Sequence, residues 1–248
     1  MRLKDKICIV TGAAQGFGAA IARRFAAEGA KVLVADVNGE GAAKLAAMIG
    51  TNAEPFTADV SNGSDFSAMA ARCVAAFGGL DIVVNNAGTT YRNQPMLNVT
   101  EAMYDRLMAI NVKSIFHSAH ACVPILRRQG RGCMLNIAST GGIRPRPGLT
   151  WYNASKGAVI AMTKAMAIEL APDRIRVNAL CPVAAETALL RDFMGEDTPE
   201  MRAKFVSTIP LGRFCTPEDV AKAALHLCSD EADFLTGVCL EVDGGRTI

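Results

Sequence analysis

Short apolar runs and amphipathic helical stretches alternate along this chain, and that alternation restricts the fold more than any other feature. Ile7-Cys8-Ile9-Val10, Lys31–Ala35, Ile82-Val83-Val84 and Cys133–Ile137 are brief, continuous and rich in branched residues. Strands covered on both faces, as in a parallel sheet, look like this because neither face has to be polar. Arg176–Leu180 and Val238–Val242 continue the series. Helical patterns are expected between them, over Ala19–Gly29, Gly39–Ile49, Asp65–Phe77, Glu101–Gln129, Tyr152–Leu170 and Pro217–Cys228. Such a repeat predicts an α/β fold, one doubly wound parallel sheet with helices on both faces and right-handed crossovers. No linker interrupts residues 1–248, so one domain is expected. The alternation lapses only over Ala184–Ile209, where Gly195-Glu196-Asp197-Thr198-Pro199 breaks the pattern; short helices forming a substrate lid are expected there.

Composition narrows the function classes. Half the 248 residues are hydrophobic, a fifth are charged, and the formal net charge is +2. That balance gives no electrostatic case for nucleic acid as a partner. The basic cluster Arg127, Arg128 and Arg131 fits a solvated helix end. Met1–Lys6 shows no apolar signal-peptide core, and no apolar stretch reaches the roughly 18 residues of a membrane span. The eight cysteines are scattered with no Cys-x-x-Cys pair, so they read as reduced core residues of a cytoplasmic protein without a membrane partner.

The first apolar run leads into Thr11-Gly12-Ala13-Ala14-Gln15-Gly16-Phe17-Gly18 and then into a helix. Gly12 permits the tight turn, Gly16 lets backbone N–H groups approach a pyrophosphate, and Gly18 lets helix and strand pack closely. An acid, Asp36, ends the second apolar run. In that context the glycine triplet predicts a dinucleotide site on a Rossmann-type sheet. The Asp36 carboxylate can accept hydrogen bonds from the adenosine ribose and would repel a 2′-phosphate. Neither the glycine loop nor Val37-Asn38 offers a cation for such a phosphate, so NAD is expected over NADP.

The spacing Gly-x3-Gly-x-Gly resembles that of the short-chain dehydrogenase/reductases, and further matches cover nearly the whole chain. Asp59-Val60 resembles the family's adenine contact, Asn85-Asn86-Ala87-Gly88 its Asn-Asn-Ala-Gly signature, and Asn111 its helix asparagine. Ser139 follows the fifth apolar run, and Tyr152-Asn153-Ala154-Ser155-Lys156 lies 13 residues on. Tyr-x3-Lys on a helix places both side chains on one face. Alcohol oxidation needs a base for the hydroxyl proton, and a free phenol with a pKa of about 10 is a poor one. A neighbouring ammonium and the positive ring of NAD⁺ would lower it, by around 3 units for about 4 kcal/mol. The resemblance implies Tyr152 as acid/base, Lys156 as the cation that also binds the nicotinamide ribose, Ser139 as donor to the substrate oxygen, and Asn111 as holder of a water linking Lys156 to solvent. Gln15, Phe17, Val37, Asn86, Ala87 and Gly88 would line the cofactor with the residues above.

The sequence departs from the family after the sixth run, where Cys181-Pro182-Val183-Ala184-Ala185-Glu186-Thr187 has Val183 for the usual glycine. Pro182, Ala185 and Thr187 keep their places as cofactor contacts, and Val183 would narrow the pocket beside the nicotinamide. Ile143–Leu149 holds Arg144 and Arg146 between prolines. A surface or subunit-interface role is expected for both, with attraction of an anionic substrate as the alternative. His117 and His120 lie a turn apart without a third ligand, so packing rather than metal is expected. Leu149, Trp151, Tyr91, Leu190, Phe193 and Met194 suggest a mainly apolar substrate pocket. The resemblance implies an NAD-dependent oxidoreductase acting on a small-molecule alcohol or ketone, as a homotetramer. The alternatives are a 3-oxoacyl thioester reductase, a non-catalytic NAD-binding regulator, and an epimerase or dehydratase, the last lacking its usual longer C-terminal substrate domain.

Overall fold

The apolar runs form a single seven-stranded sheet, parallel throughout, in the computed structural model, which describes residues 1–187 and 190–248. The strands are β1 (Ile7–Thr11), β2 (Lys31–Asp36), β3 (Ala53–Thr57), β4 (Ile82–Asn85), β5 (Gly132–Ile137), β6 (Ile175–Pro182) and β7 (Cys239–Val242). Their spatial order, β3-β2-β1-β4-β5-β6-β7, reverses at β1/β4. In open sheets of this kind the crevice at the carboxyl ends beside that switch is where ligands bind. The central strands β1, β2, β4 and β5 are almost wholly buried, which explains their lack of a polar alternation.

The helices are α1 (Gly16–Ala27), α2 (Gly39–Ile49), α3 (Gly63–Phe77), α4 (Glu101–Met108), α5 (Ser114–Gln129), α6 (Thr150–Leu170), α7 (Leu190–Met194), α8 (Pro199–Val206) and α9 (Pro217–Cys228). One core layer packs α1, α2 and α9 on one face of the sheet, around Ile21, Phe25, Leu45, Val220 and Leu225. The other packs α3 and α5 on the opposite face, around Phe66, Met69, Cys73 and Leu126.

Three elements differ from the expectation. Strand β3, Ala-Glu-Pro-Phe-Thr, is absent from the sequence reading because it is short and carries Pro55. It pairs only with β2, and an edge strand tolerates the missing N–H of proline. The helix expected over Glu101–Gln129 is divided by a π-helical turn at Ala109–Lys113 that holds Asn111. Hydropathy periodicity cannot register one extra residue per turn. Segment 184–209 does contain two short helices, α7 and α8, while its residues 188 and 189 lie outside the described ones.

A buried polar relay ties the sheet to α6. Asn85 Nδ2 donates to Asn136 Oδ1 at 2.8 Å, Asn136 Nδ2 to Thr163 Oγ1 at 2.9 Å, and Thr163 Oγ1 to the Val159 carbonyl at 2.8 Å. Asn136 and Thr163 are fully buried, so removing the middle member strands two partners away from water. Asn136→Ala is expected to lower the unfolding free energy by about 2–4 kcal/mol in urea titration; a loss below about 0.5 kcal/mol would show that the relay does not hold α6.

Candidate active site

The loop after β1 brings its glycines against the end of β4. Gly12 has φ +62°, and a Cβ there would sit 2.8 Å from Ala87 Cα. Gly18 is closer still, since a Cβ would lie 2.2 Å from the Gly12 carbonyl oxygen. Asn86 seals this junction: its Nδ2 donates to the Thr11 and Gly12 carbonyls at 2.8 and 3.0 Å. Thr11 Oγ1 accepts from the Asn86 and Ala87 amides, at 3.1 Å each. The side chain of Asn86 is therefore committed to the loop, and Asn86, Ala87 and Gly88 line the cleft beside it.

A cavity of about 720 Å³ runs from this loop across the carboxyl ends of the strands. Gly12, Gln15, Gly16 and Phe17 line its middle, with Thr187 facing Gly16. Asp36, Val37, Asp59 and Val60 line one end; Ser139, Tyr152, Lys156, Pro182, Val183 and Ala185 line the rest. Gly18 lies behind the wall as a packing contact. Asn111 is also behind it, 3% exposed, with Oδ1 accepting from the Thr89 amide at 2.8 Å and Nδ2 donating to the Thr89 carbonyl and Ser155 Oγ at 2.9 and 3.1 Å. Val183 carries no backbone strain: its amide donates to the Val242 carbonyl at 3.1 Å, extending the ladder, and positive φ outside glycine occurs among the described residues only at Asp5 and Arg174.

The cleft fits a dinucleotide. Helices α2, α3, α4, α8 and α9 each have a side-chain N-cap, whereas α1, like α5 and α6, starts with no side-chain cap and no acid in its first turn, and of these it is α1 that follows the glycine loop. Free amides at a helix N-terminus, beside glycines that leave room, suit a pyrophosphate. Asp36 is held in place at the sheet end, Oδ2 accepting from the Ala14 amide and Oδ1 from the Asn38 amide, both at 2.9 Å. A carboxylate has about four acceptor sites, so two remain for ribose hydroxyls.

Tyr152, Lys156 and Ser139 meet where β5 and β6 end. Ser139 Oγ accepts from the Gly141 amide at 3.0 Å and stands near enough to the Tyr152 phenol to favour its ionised form. Lys156 Nζ donates to the Ile137 carbonyl at 2.8 Å and lies 5.9 Å from the Tyr152 ring centroid. Burial pushes the Tyr152 phenol up to about 12, only partly offset by Ser139 and by the Arg146 guanidinium. Burial likewise pulls the Lys156 ammonium down to about 8. In the chain alone, desolvation outweighs the Arg146 charge, and the depression expected of the ammonium together with NAD⁺ concerns the cofactor complex.

Arg106, Asn153, Phe205 and Arg246 line the cavity and were not evident in the sequence. Arg106 of α4 joins Asp59 at one end, and Asn153, Phe205 and Arg246 close the other with Phe193 and Arg146. Arg146 corrects the surface expectation: it is half-buried in the cavity wall, while Arg144 is exposed. Of the apolar residues expected in the pocket, Leu149 and Phe193 line it. Leu190 and Met194 face the core instead, and Trp151 packs edge-on against Tyr104. Tyr91 is turned away, its hydroxyl accepting from the Trp151 amide at 3.1 Å. His117 and His120 flank the Phe116 ring. No helix among the described residues is long and apolar enough to cross a membrane.

A family model described as enoyl-(acyl carrier protein) reductase matches residues 12–247. The chain belongs to the short-chain dehydrogenase/reductase family. A 4-formylbenzenesulfonate dehydrogenase of Comamonas testosteroni is 53% identical, the match covering 100% of each chain. A 3-oxoacyl-[acyl-carrier-protein] reductase of Thermotoga maritima is 39% identical, again over 100% of both. The crystal structure of the 3-ketoacyl-(acyl-carrier-protein) reductase from Brucella melitensis complexed with NADH has a TM-score of 0.95 and 45% identity, covering 99% of this chain and 100% of that one. This short-chain dehydrogenase/reductase is an enzyme, a nicotinamide-dependent oxidoreductase of the alcohol dehydrogenase and ketone reductase kind.

The lysine gives a signed stability prediction. Its folded pKa of about 8 lies below the ordinary 10.5, so between those values the unfolded chain binds more protons and stability from this site rises with pH. Below pH 8 the burial cost is present in full. Lys156→Met is therefore expected to be more stable than the native chain at pH 7, by about 1–3 kcal/mol, with the difference closing towards pH 10.5 in urea melts. A destabilised variant at pH 7 would contradict the burial cost.

Proposed function

We propose that this enzyme is an NAD-linked dehydrogenase of a small-molecule secondary alcohol or its carbonyl counterpart, working mainly in the oxidative direction. The observation that carries the reading is that one cavity contains the capless start of α1, Asp36, and the Ser139–Tyr152–Lys156 group. Asp36 supports NAD over NADP, because its fixed carboxylate would face a 2′-phosphate; Arg106, the cation at that end of the cavity, stands by Asp59, whose carboxyl it helps hold below its ordinary value.

When bound, NAD⁺ supplies the hydride acceptor and a positive ring beside the phenol. Tyr152 Oη takes the proton of the substrate hydroxyl, and Ser139 Oγ hydrogen-bonds the same oxygen as its charge changes. Lys156 offers two services from one ammonium, a field favouring the phenolate and donors for the nicotinamide ribose. Asn111, braced on Thr89 and Ser155, stands behind Gly88, where a Cβ would lie 3.4 Å from its Oδ1 and 3.5 Å from Lys156 Nζ. That placement suits a water-mediated proton path from Lys156. Pro182, Val183 and Ala185 would wall the nicotinamide, and Thr187, which faces Gly16, would contact the pyrophosphate.

Residues 1–248 are read as one domain, with the insertion around 184–209, which carries α7 and α8, as its substrate lid. The exposed Phe116 and Ile168 on α5 and α6 support a homotetramer built on those helices. The free thiols, buried except at the half-buried Cys239, support a cytoplasmic, reducing setting. A second reading, 3-oxoacyl thioester reduction, is favoured by the Brucella and Thermotoga relatives. The Comamonas relative, named for a small carbonyl compound that is not a thioester, favours a small-molecule substrate.

The test is NAD⁺ reduction across sugars, aryl and cyclic secondary alcohols, hydroxy acids and hydroxyacyl thioesters. At least one non-thioester alcohol should be oxidised with kcat/KM for NAD⁺ at least about 10-fold above that for NADP⁺, a gap of about 1.4 kcal/mol. Tyr152→Phe should lower kcat by at least about 1,000-fold while NADH affinity stays within about threefold. A clear NADP⁺ preference, or turnover surviving in Tyr152→Phe, would overturn the corresponding part.

A further inference from the structure

Two guanidinium groups close the substrate end of the cavity, and neither is neutralised. Arg146 and Arg246 both line it, and both lie against the ring of Phe205, with Cζ 5.0 and 4.6 Å from the ring centroid. Phe205 belongs to α8 of the proposed lid and is itself buried, stacked on Phe214 at 5.6 Å. No carboxylate of the described residues lies within 4 Å of either guanidinium, and residues 188 and 189, Ala and Leu, bring none. Asp243 is the nearest acid to influence Arg246. Its oxygens are already engaged by the amides of Gly245 and Thr247, at 2.9 and 2.8 Å, and by the Thr247 hydroxyl at 2.7 Å.

The main chain that carries the cations is held as well. Asn153 Nδ2, one residue from Tyr152, donates to the Arg146 carbonyl at 2.8 Å, Arg144 Nη1 donates to the Arg246 carbonyl at 2.9 Å, and the Arg246 guanidinium itself donates from Nη1 to the Thr208 carbonyl at 3.5 Å. The catalytic helix, the Arg144–Arg146 loop, the lid and the C-terminal turn thus converge on one positively charged point. Arg146 and Arg246 repel each other, and both are pulled below their ordinary values by burial. Fixed like charges in a partly dry wall, each stacked on an aromatic face, need an anion to offset them. The surrounding wall of Leu149, Phe193 and Phe205 is apolar.

We propose that Arg146 and Arg246 form an anion subsite for a sulfonate or carboxylate at the far end of a compact aromatic substrate whose alcohol carbon faces Tyr152. This rests on the dehydrogenase reading and names the substrate class for it. The anion bridges two guanidiniums, and the ring lies against Phe193 and Leu149. Asn153 and Arg144 are positioning residues for the pair.

The experiment compares matched secondary alcohols with the NAD⁺ holoenzyme: 4-(1-hydroxyethyl)benzenesulfonate and 4-(1-hydroxyethyl)benzoate against neutral 1-(4-methylphenyl)ethanol. The readout is the ratio of kcat/KM, anionic over neutral. The expected ratio is about 100 or more, arising mostly in KM; Arg146→Gln and Arg246→Gln each reduce it about 10-fold, and the double variant brings it near unity. A non-reacting probe, 4-methylbenzenesulfonate, should bind the enzyme–NADH complex and lose at least about 10-fold affinity in the double variant. Oxidation of the neutral alcohol with a ratio near 1, unchanged in the variants, would overturn the subsite and leave the dehydrogenase reading standing. If no alcohol is oxidised, that reading fails and the sulfonate-binding arm still decides the subsite. A preference for 3-hydroxybutyryl-CoA that falls in the variants would overturn the proposal by assigning the arginines to a phosphate-bearing thioester. Weakened NADH binding with an unchanged ratio would overturn it by assigning them to the cofactor.

Discussion

A parallel sheet sends every strand the same way, so the carboxyl ends of all seven open on one edge. Much of the cavity wall stands at or just beyond one of those ends: the glycine loop after β1, Asp36 ending β2, Asn86 after β4, Ser139 after β5 and Pro182 ending β6. Residues separated by more than a hundred positions therefore share one cavity without any special long-range interaction. The reversal of strand order between β1 and β4 opens the crevice, and the Asn86 contacts with Thr11 and Gly12 fix its two lips. The relay Asn85–Asn136–Thr163 then ties the middle of the same sheet to the helix that bears Tyr152 and Lys156.

The site's chemistry depends on a second constraint, the cost of placing ionisable groups out of water. Tyr152 and Lys156 are displaced in opposite directions by the same cause, burial, and each towards its neutral form. In this state the phenol is a worse base than in water. A positive charge brought next to it, as oxidised nicotinamide brings, has a large effect because the surroundings screen it poorly. On the proposed mechanism, proton abstraction by Tyr152 would then be confined to the complex able to accept the hydride.

The sequence was most legible where local chemistry repeats a strict pattern. Gly12 and Gly18 could be assigned from spacing because close backbone approaches demand glycine, and Tyr152 and Lys156 because a helix places i and i+4 together. The sheet's core strands were visible for a similar reason, since burial on both faces leaves an uninterrupted apolar signature. β3 was not, because an edge strand with a proline lacks that signature. The π turn around Asn111 was hidden, as its extra residue leaves hydropathy unchanged. Arg146 and Arg246 were misplaced or missed because arginines between prolines, or after a glycine turn, look like surface residues. Only the fold shows Phe205 arriving from the lid to meet both.

The most direct measurement of this charge balance is an ultraviolet titration of Tyr152, taken as the phenolate difference between the native enzyme and Tyr152→Phe, with and without saturating NAD⁺. Without NAD⁺ the difference should be absent below about pH 10, in keeping with a phenol pushed up to about 12. With NAD⁺ a single-proton transition should appear between about pH 7 and 9. A phenolate already forming near neutrality in the free enzyme, or one still absent below pH 10 in the NAD⁺ complex, would contradict the claim that burial silences this base and the cofactor's charge releases it.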